Sequence, residues 1–127
     1  MKCFFDENLG YQLAHGLKGF GEDAIHLTDV FQKGTPDEEW LPYVAKNGYT
    51  LFTRDKLIRR RPQQLAIIMD YKIGAFFLGG KTMVRWNYIK QIVTAWHKIE
   101  ATVMKETPPF AYQVNMHGTK VEKLPLD

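Results

Sequence analysis

The chain has 127 residues, 45% of them hydrophobic and 24% charged, with a net charge of +3, which suits one globular domain with a real core. No apolar stretch approaches the ~18 residues needed to cross a membrane. Acids at Asp6 and Glu7 interrupt any secretory h-region, and the single Cys3 has no internal disulfide partner. These features argue against a membrane protein and a disulfide-stapled secreted domain, and a cytoplasmic location is expected.

Hydrophobic periodicity predicts a strand over 2–5, a helix over about 9–19, a strand over 24–28 and a helix over about 36–47. A strand over 49–53, a helix over about 62–72, a strand over 74–78 and a long helix over about 83–104 follow. A hairpin over about 110–124 closes the chain. Gly19 and Gly21 bracket the end of the first helix, and Asn47-Gly48 the end of the second, as C-cap glycines do. Pro62 suits the first turn of the third helix, and Gly79-Gly80 stops the fourth strand. The long helix carries Ile89, Ile92, Trp96, Ile99 and Val103 as a core-facing stripe, a self-association seam being the other reading. Trp86 and Tyr88 near its start are expected to pack, with base stacking the weaker alternative. Strands alternating with helices make the fold class α/β, a mainly parallel sheet with helices on both faces. Pro108-Pro109 divides a 1–107 body from a 108–127 C-terminal extension.

Two strands end abruptly in acids. Phe4-Phe5 runs into Asp6, and Leu51-Phe52-Thr53-Arg54 into Asp55, with a milder case at His26-Leu27-Thr28-Asp29. In a parallel α/β sheet the carboxyl ends of neighbouring strands converge on one edge, where such folds bind ligands. Acids gathered there repel one another, so the pattern points to a divalent-metal site. Asp37, at the start of the second helix, aligns with Trp40, Leu41 and Val44 and so points along the buried stripe. Thr35 and Glu38 read as a capping box around Pro36, which leaves Glu38 structural, and Glu39 faces solvent. Pro42 warns of a kink. Asn8 and Thr53 are placed to steady Asp6 and Asp55, Asp29 reads as a loop cap, and His26 as a packed core histidine. None of the four histidines has zinc spacing, and there is no Gly-rich phosphate loop or Gly-x-Ser-x-Gly elbow. Arg54, Lys56, Arg59, Arg60 and Arg61 crowd beside Asp55, a basic run suited to a polyanion.

Together these segments resemble PIN-like domains. The shared elements are Phe4-Phe5-Asp6-Glu7-Asn8-Leu9, His26-Leu27-Thr28-Asp29, Thr35-Pro36-Asp37-Glu38-Glu39-Trp40, Thr53-Arg54-Asp55 with Arg59-Arg60-Arg61-Pro62, and the strand Phe76-Phe77-Leu78. The likeness is greatest to the VapC-type toxin branch and covers most of 1–105. It implies an Mg²⁺- or Mn²⁺-dependent endoribonuclease, usually the toxin of a toxin–antitoxin pair. Asp6, Asp37 and Asp55 are then the catalytic metal ligands and Asn8 and Thr53 the supporting polar groups. Arg54, Lys56, Arg59 and Arg60 are expected on phosphates. An RNA substrate, a cognate antitoxin protein and a homo-oligomer are the expected partners. Many such domains carry another acid shortly after the third, where this chain has Lys56 and Leu57; a second ion would lack that ligand. The alternative is a catalytically weak PIN-like module that binds nucleic acid or a protein partner. A small-molecule phosphatase, with an Asp two residues before another Asp after the first strand, ranks below both, since Asp6-Glu7-Asn8 breaks that pattern.

Overall fold

A computed structural model describes residues 1–81 and 84–126. The elements run β1 (Lys2–Phe5), α1 (Tyr11–Gly19), β2 (Asp23–His26), α2 (Asp37–Lys46), β3 (Thr50–Thr53), α3 (Pro62–Asp70), β4 (Gly74–Leu78), α4 (Arg85–Lys105), β5 (Phe110–Val114) and β6 (Val121–Lys123). Met83, where the sequence places the start of the long helix, lies outside the described residues, as does Asp127. The strands form one sheet in the order β2-β1-β3-β4-β5-β6, parallel throughout except for β6 against β5. The expected hairpin is therefore present, and it extends the sheet rather than standing apart from it.

Strands buried on both faces read as continuous apolar runs, and alternate residues of each serve different faces. Phe5, Phe52, Phe76 and Tyr112 are cross-strand neighbours whose rings stack at 4.9, 5.3 and 6.0 Å beneath α1 and α4. Phe4, Leu51, Ala75 and Phe77 face α2 and α3 instead, and Phe4 stacks on Trp40 at 5.5 Å. β1 connects to β2 on one side of it, whereas the chain crosses back to β3 on the other. The order therefore reverses between β1 and β3, the topological switch point of a doubly wound sheet. The steps from β3 to β4 and from β4 to β5 run in the same direction, yet α3 and α4 lie on opposite faces. The two crossovers thus have opposite hands, a departure from the usual uniform rule. With α4 on the α1 side, Leu124 and Leu126 of the C-terminal segment help cover the other face beside Phe77 and Ala111.

Local signals explain the boundaries. Gly21 (φ +101°) and Gly48 (φ +69°) follow the cap residues Phe20 and Asn47. The next amides, Glu22 and Tyr49, donate back to Leu17 and Val44 in paired Schellman turns. The sheet strand expected over 24–28 stops at His26, because the His26 ring accepts from the Thr28 amide and Asp29 accepts from the His26 amide. That exchange winds Leu27–Asp29 into a 3₁₀ turn. The expected Thr35 cap does not form: Pro36 occupies the cap position, and the Thr35 hydroxyl donates to the Gln32 carbonyl. Pro42 is accommodated inside α2. The buried face of α4 is centred on Tyr88, Gln91, Ile92, Ala95, Ile99 and Thr102, so Ile89, Trp96 and Val103 flank the core-facing stripe rather than lead it.

Candidate active site

Asp6 is the first residue after β1 and Thr53 the last of β3, so both lie at the switch point. The Asp6 amide still bonds the Phe52 carbonyl at 3.0 Å before the chain leaves the sheet. One oxygen of its carboxylate accepts from the Glu7 amide at 2.7 Å. The other accepts from the Thr53 hydroxyl at 2.8 Å and the Asn8 side-chain amide at 3.2 Å. Thr53 is fully buried, and its oxygen also accepts from the Asp55 backbone amide at 3.0 Å and from Asn8 at 3.1 Å. That uses its one proton and both lone pairs. The Asn8 carbonyl oxygen in turn accepts from the Arg54 amide. Asn8 and Thr53 thus tie the two strand ends into one polar network. Beneath it, the buried His26 ring donates through Nε2 to the Leu9 carbonyl at 2.6 Å, while Nδ1 accepts from Thr28. This fixes the neutral Nε2–H tautomer and anchors the turn after Asp6.

Asp55 accepts at one oxygen from the Leu57 amide, closing an Asx turn, and at the other from Arg61 Nη1 at 2.9 Å. The same Nη1 lies 3.5 Å from an Asp37 oxygen. The two carboxylates are therefore no farther apart than those two contacts together reach. Asp37 opens α2 with its side chain half-buried along the Trp40, Leu41 and Val44 face. Burial raises the Asp6 pKa from 3.8 to about 6, and the Asp37 and Asp55 charges push the same way against its hydrogen bonds. Burial also raises Asp37, with Asp55 next in effect and Arg61 opposing. All three acids expected from the sequence thus converge on one edge and sense one another.

Their donor chemistry, three carboxylates and no sulfur, fits a hard cation such as Mg²⁺ or Mn²⁺. Their present spacing does not close around one: among the described residues, no group of three or more His, Cys, Asp or Glu side chains stands ready to hold an ion. Arg61 lies between two of the three, its guanidinium bridging Asp37 and Asp55. The sequence places Arg61 in the basic run without singling it out, although its position before Pro62, at the cap of α3, is the signal that aims it at this edge.

The other cations sit to one side. Lys56, Arg59 and Arg60 line a cleft of about 340 Å³ with Phe77 and Leu124, and Arg59 also donates to the Pro125 carbonyl. Arg54, expected with them, is half-buried and does not line this cleft. Glu7 accepts from the Gly34 amide, Glu38 from Gln64, and Asp29 from the His26 amide and His15. All three are accounted for as structural acids. Tyr88 is buried, with its hydroxyl accepting from the Gly10 amide, so it packs as expected; Trp86 is exposed.

A family model described as a PIN like domain matches residues 1–80. The chain belongs to the PIN-like domain family. The matched span holds the three acids, Asn8, Thr53 and the arginine-rich segment of this PIN-like domain, and stops before α4 and the hairpin. No curated protein and no solved structure matches the chain. Among the described residues, no helix is long and apolar enough to cross a membrane.

Proposed function

We propose that this PIN-like domain is an Mg²⁺- or Mn²⁺-dependent endoribonuclease that acts as the toxin of a type II toxin–antitoxin pair. The observation that carries the nuclease reading is the meeting of Asp6, Asp37 and Asp55 at the switch point beside the arginine-rich segment. Asp6, Asp37 and Asp55 are the residues that would hold the ion. When bound, it supplies Lewis-acid stabilisation of charge on the phosphoryl group being hydrolysed. Asn8 and Thr53 fix the direction of the Asp6 carboxylate, so the ligand is pre-oriented. Lys56, Arg59 and Arg60, with Arg54 behind them, would bind flanking phosphates and draw RNA to the acidic edge. The toxin role rests on the likeness of the motif set to the VapC-type branch. A cognate antitoxin would cover the acidic edge or insert a basic side chain there.

A non-catalytic module that binds nucleic acid or a protein through the same basic face is the second reading. The Arg61 bridge favours it, because a resident cation already offsets part of the charge on Asp37 and Asp55. Thermal melting with and without Mn²⁺, beside cleavage of a mixed RNA pool, separates the two. The enzyme should gain about 2.7 kcal/mol at a hundredfold excess of ion over its Kd. It should also cleave RNA only with metal, and Asp37→Asn and Asp55→Asn should each abolish that cleavage. Wild-type protein with no shift and no cleavage would leave the binding module.

A further inference from the structure

We infer that Arg61 is a tethered cation standing in the place of the divalent ion, and that its guanidinium must swing out from between Asp37 and Asp55 before metal is held. The inference rests on the metal-dependent reading above and adds a competition built into the chain. Arg61 Nη1 is 2.9 Å from one carboxylate and 3.5 Å from the other, so a single nitrogen serves both acids. A divalent ion between the same oxygens would occupy the same space, and two cations at contact distance repel strongly in a partly desolvated site. The two occupants therefore exclude each other.

The backbone is built so that only the side chain has to move. The Arg61 amide donates to the Leu57 carbonyl, and its own carbonyl accepts from Leu65, so the main chain is held on both sides. Pro62 follows, confining Arg61 to the extended conformation seen at φ −78° and ψ 125°. The side chain, by contrast, is 41% exposed and can rotate into solvent. Its neighbours do not share the task. Among the described residues, Arg54, Arg59 and Arg60 form no ion pair with the acids, and Arg59 is engaged by Pro125. A half-exposed ion pair contributes little to net stability, so a bound ion can displace it at little cost.

Isothermal titration of Mn²⁺ into metal-free protein tests the competition directly. Arg61→Gln should bind Mn²⁺ on the order of tenfold tighter than wild type, because a competing like charge is gone. Arg60→Gln, which removes the same charge one residue away, should stay within about threefold of wild type. Binding by Arg61→Gln and not by wild type would also support the inference. Equal or weaker binding by Arg61→Gln, with wild type binding normally, overturns the inference and leaves the metal reading standing. No Mn²⁺ binding by wild type or by either variant overturns both. Should Arg61→Gln fail to fold without metal, refolding of that variant on addition of Mn²⁺, followed by circular dichroism, takes the place of the titration. Recovery of the fold as Mn²⁺ is added supports the inference, and no recovery overturns it.

Discussion

Asp6→Asn isolates the electrostatic cost of the buried site. In the folded protein the Asp6 pKa is about 6, against 3.8 for the free side chain, so the native state is the better proton acceptor between those values. A carboxyl raised on folding opposes folding above its folded pKa, and that opposition fades as the pH falls from about 6 towards 3.8. The rise from 3.8 to about 6 corresponds to about 3 kcal/mol of opposition at neutral pH. The asparagine variant carries no such charge, so it loses this pH dependence. It also brings a local penalty, because the new amide donor would face Asn8 Nδ2 and a Thr53 oxygen already accepting two bonds. That penalty, about 1–3 kcal/mol, does not vary with pH. Urea denaturation in metal-free buffer at about pH 7.5 and about pH 4.5 therefore separates the two contributions. Relative to wild type, Asp6→Asn should be about 2 kcal/mol better at the higher pH than at the lower, since about 1 kcal/mol of the opposition survives at pH 4.5, whatever its absolute stability. Parallel pH profiles for the two proteins would refute the buried-charge argument.

Thr53→Val keeps the shape of a fully buried side chain but deprives the Asp55 amide and Asn8 of an acceptor and Asp6 of a donor. It should cost about 1–3 kcal/mol in urea denaturation and push the Asp6 pKa higher still, since the Thr53 hydroxyl lowers it; an unchanged midpoint would remove Thr53 from the network. Lys56→Ala combined with Arg60→Ala should weaken RNA binding and flatten its salt dependence by about 0.7 in log–log slope per lost phosphate contact with a single strand. Mn²⁺ affinity should be little changed, and a salt slope equal to wild type would place the RNA elsewhere.

Much of this protein is local in origin and therefore readable along the chain. Apolar runs such as Cys3-Phe4-Phe5 and Ala75-Phe76-Phe77-Leu78 declare strands buried on both faces, because no polar side chain in them could be satisfied there. Gly21 and Gly48 declare helix ends, because each sits at a positive φ that other residues resist. The acids after β1 and β3 stand out for the same reason: a charge ending a buried run needs a partner. Asp37 could be added from helical phase alone.

What the chain order could not contain was the sheet order. Asp6 and Asp55 become neighbours only because β1 pairs with both β2 and β3, which places their ends on either side of the switch point. The opposite hand of the β4–β5 crossover is likewise invisible in periodicity. It sets α4 beside α1 and turns Gln91, Ala95 and Thr102 inward, and it leaves Leu124 and Leu126 to shield the far face. His26 shows the same division: its apolar setting is legible, but its bond to the Leu9 carbonyl exists only once β2 lies against β1. Arg61 is the clearest case. Its charge and its place before Pro62 are sequence facts, yet its target depends on the starts of α2 and α3 being packed together at the acidic edge. Local sequence governs backbone conformation and the side that is buried, whereas a long cation finds its partner by reach between elements, and that distance exists only in the folded chain.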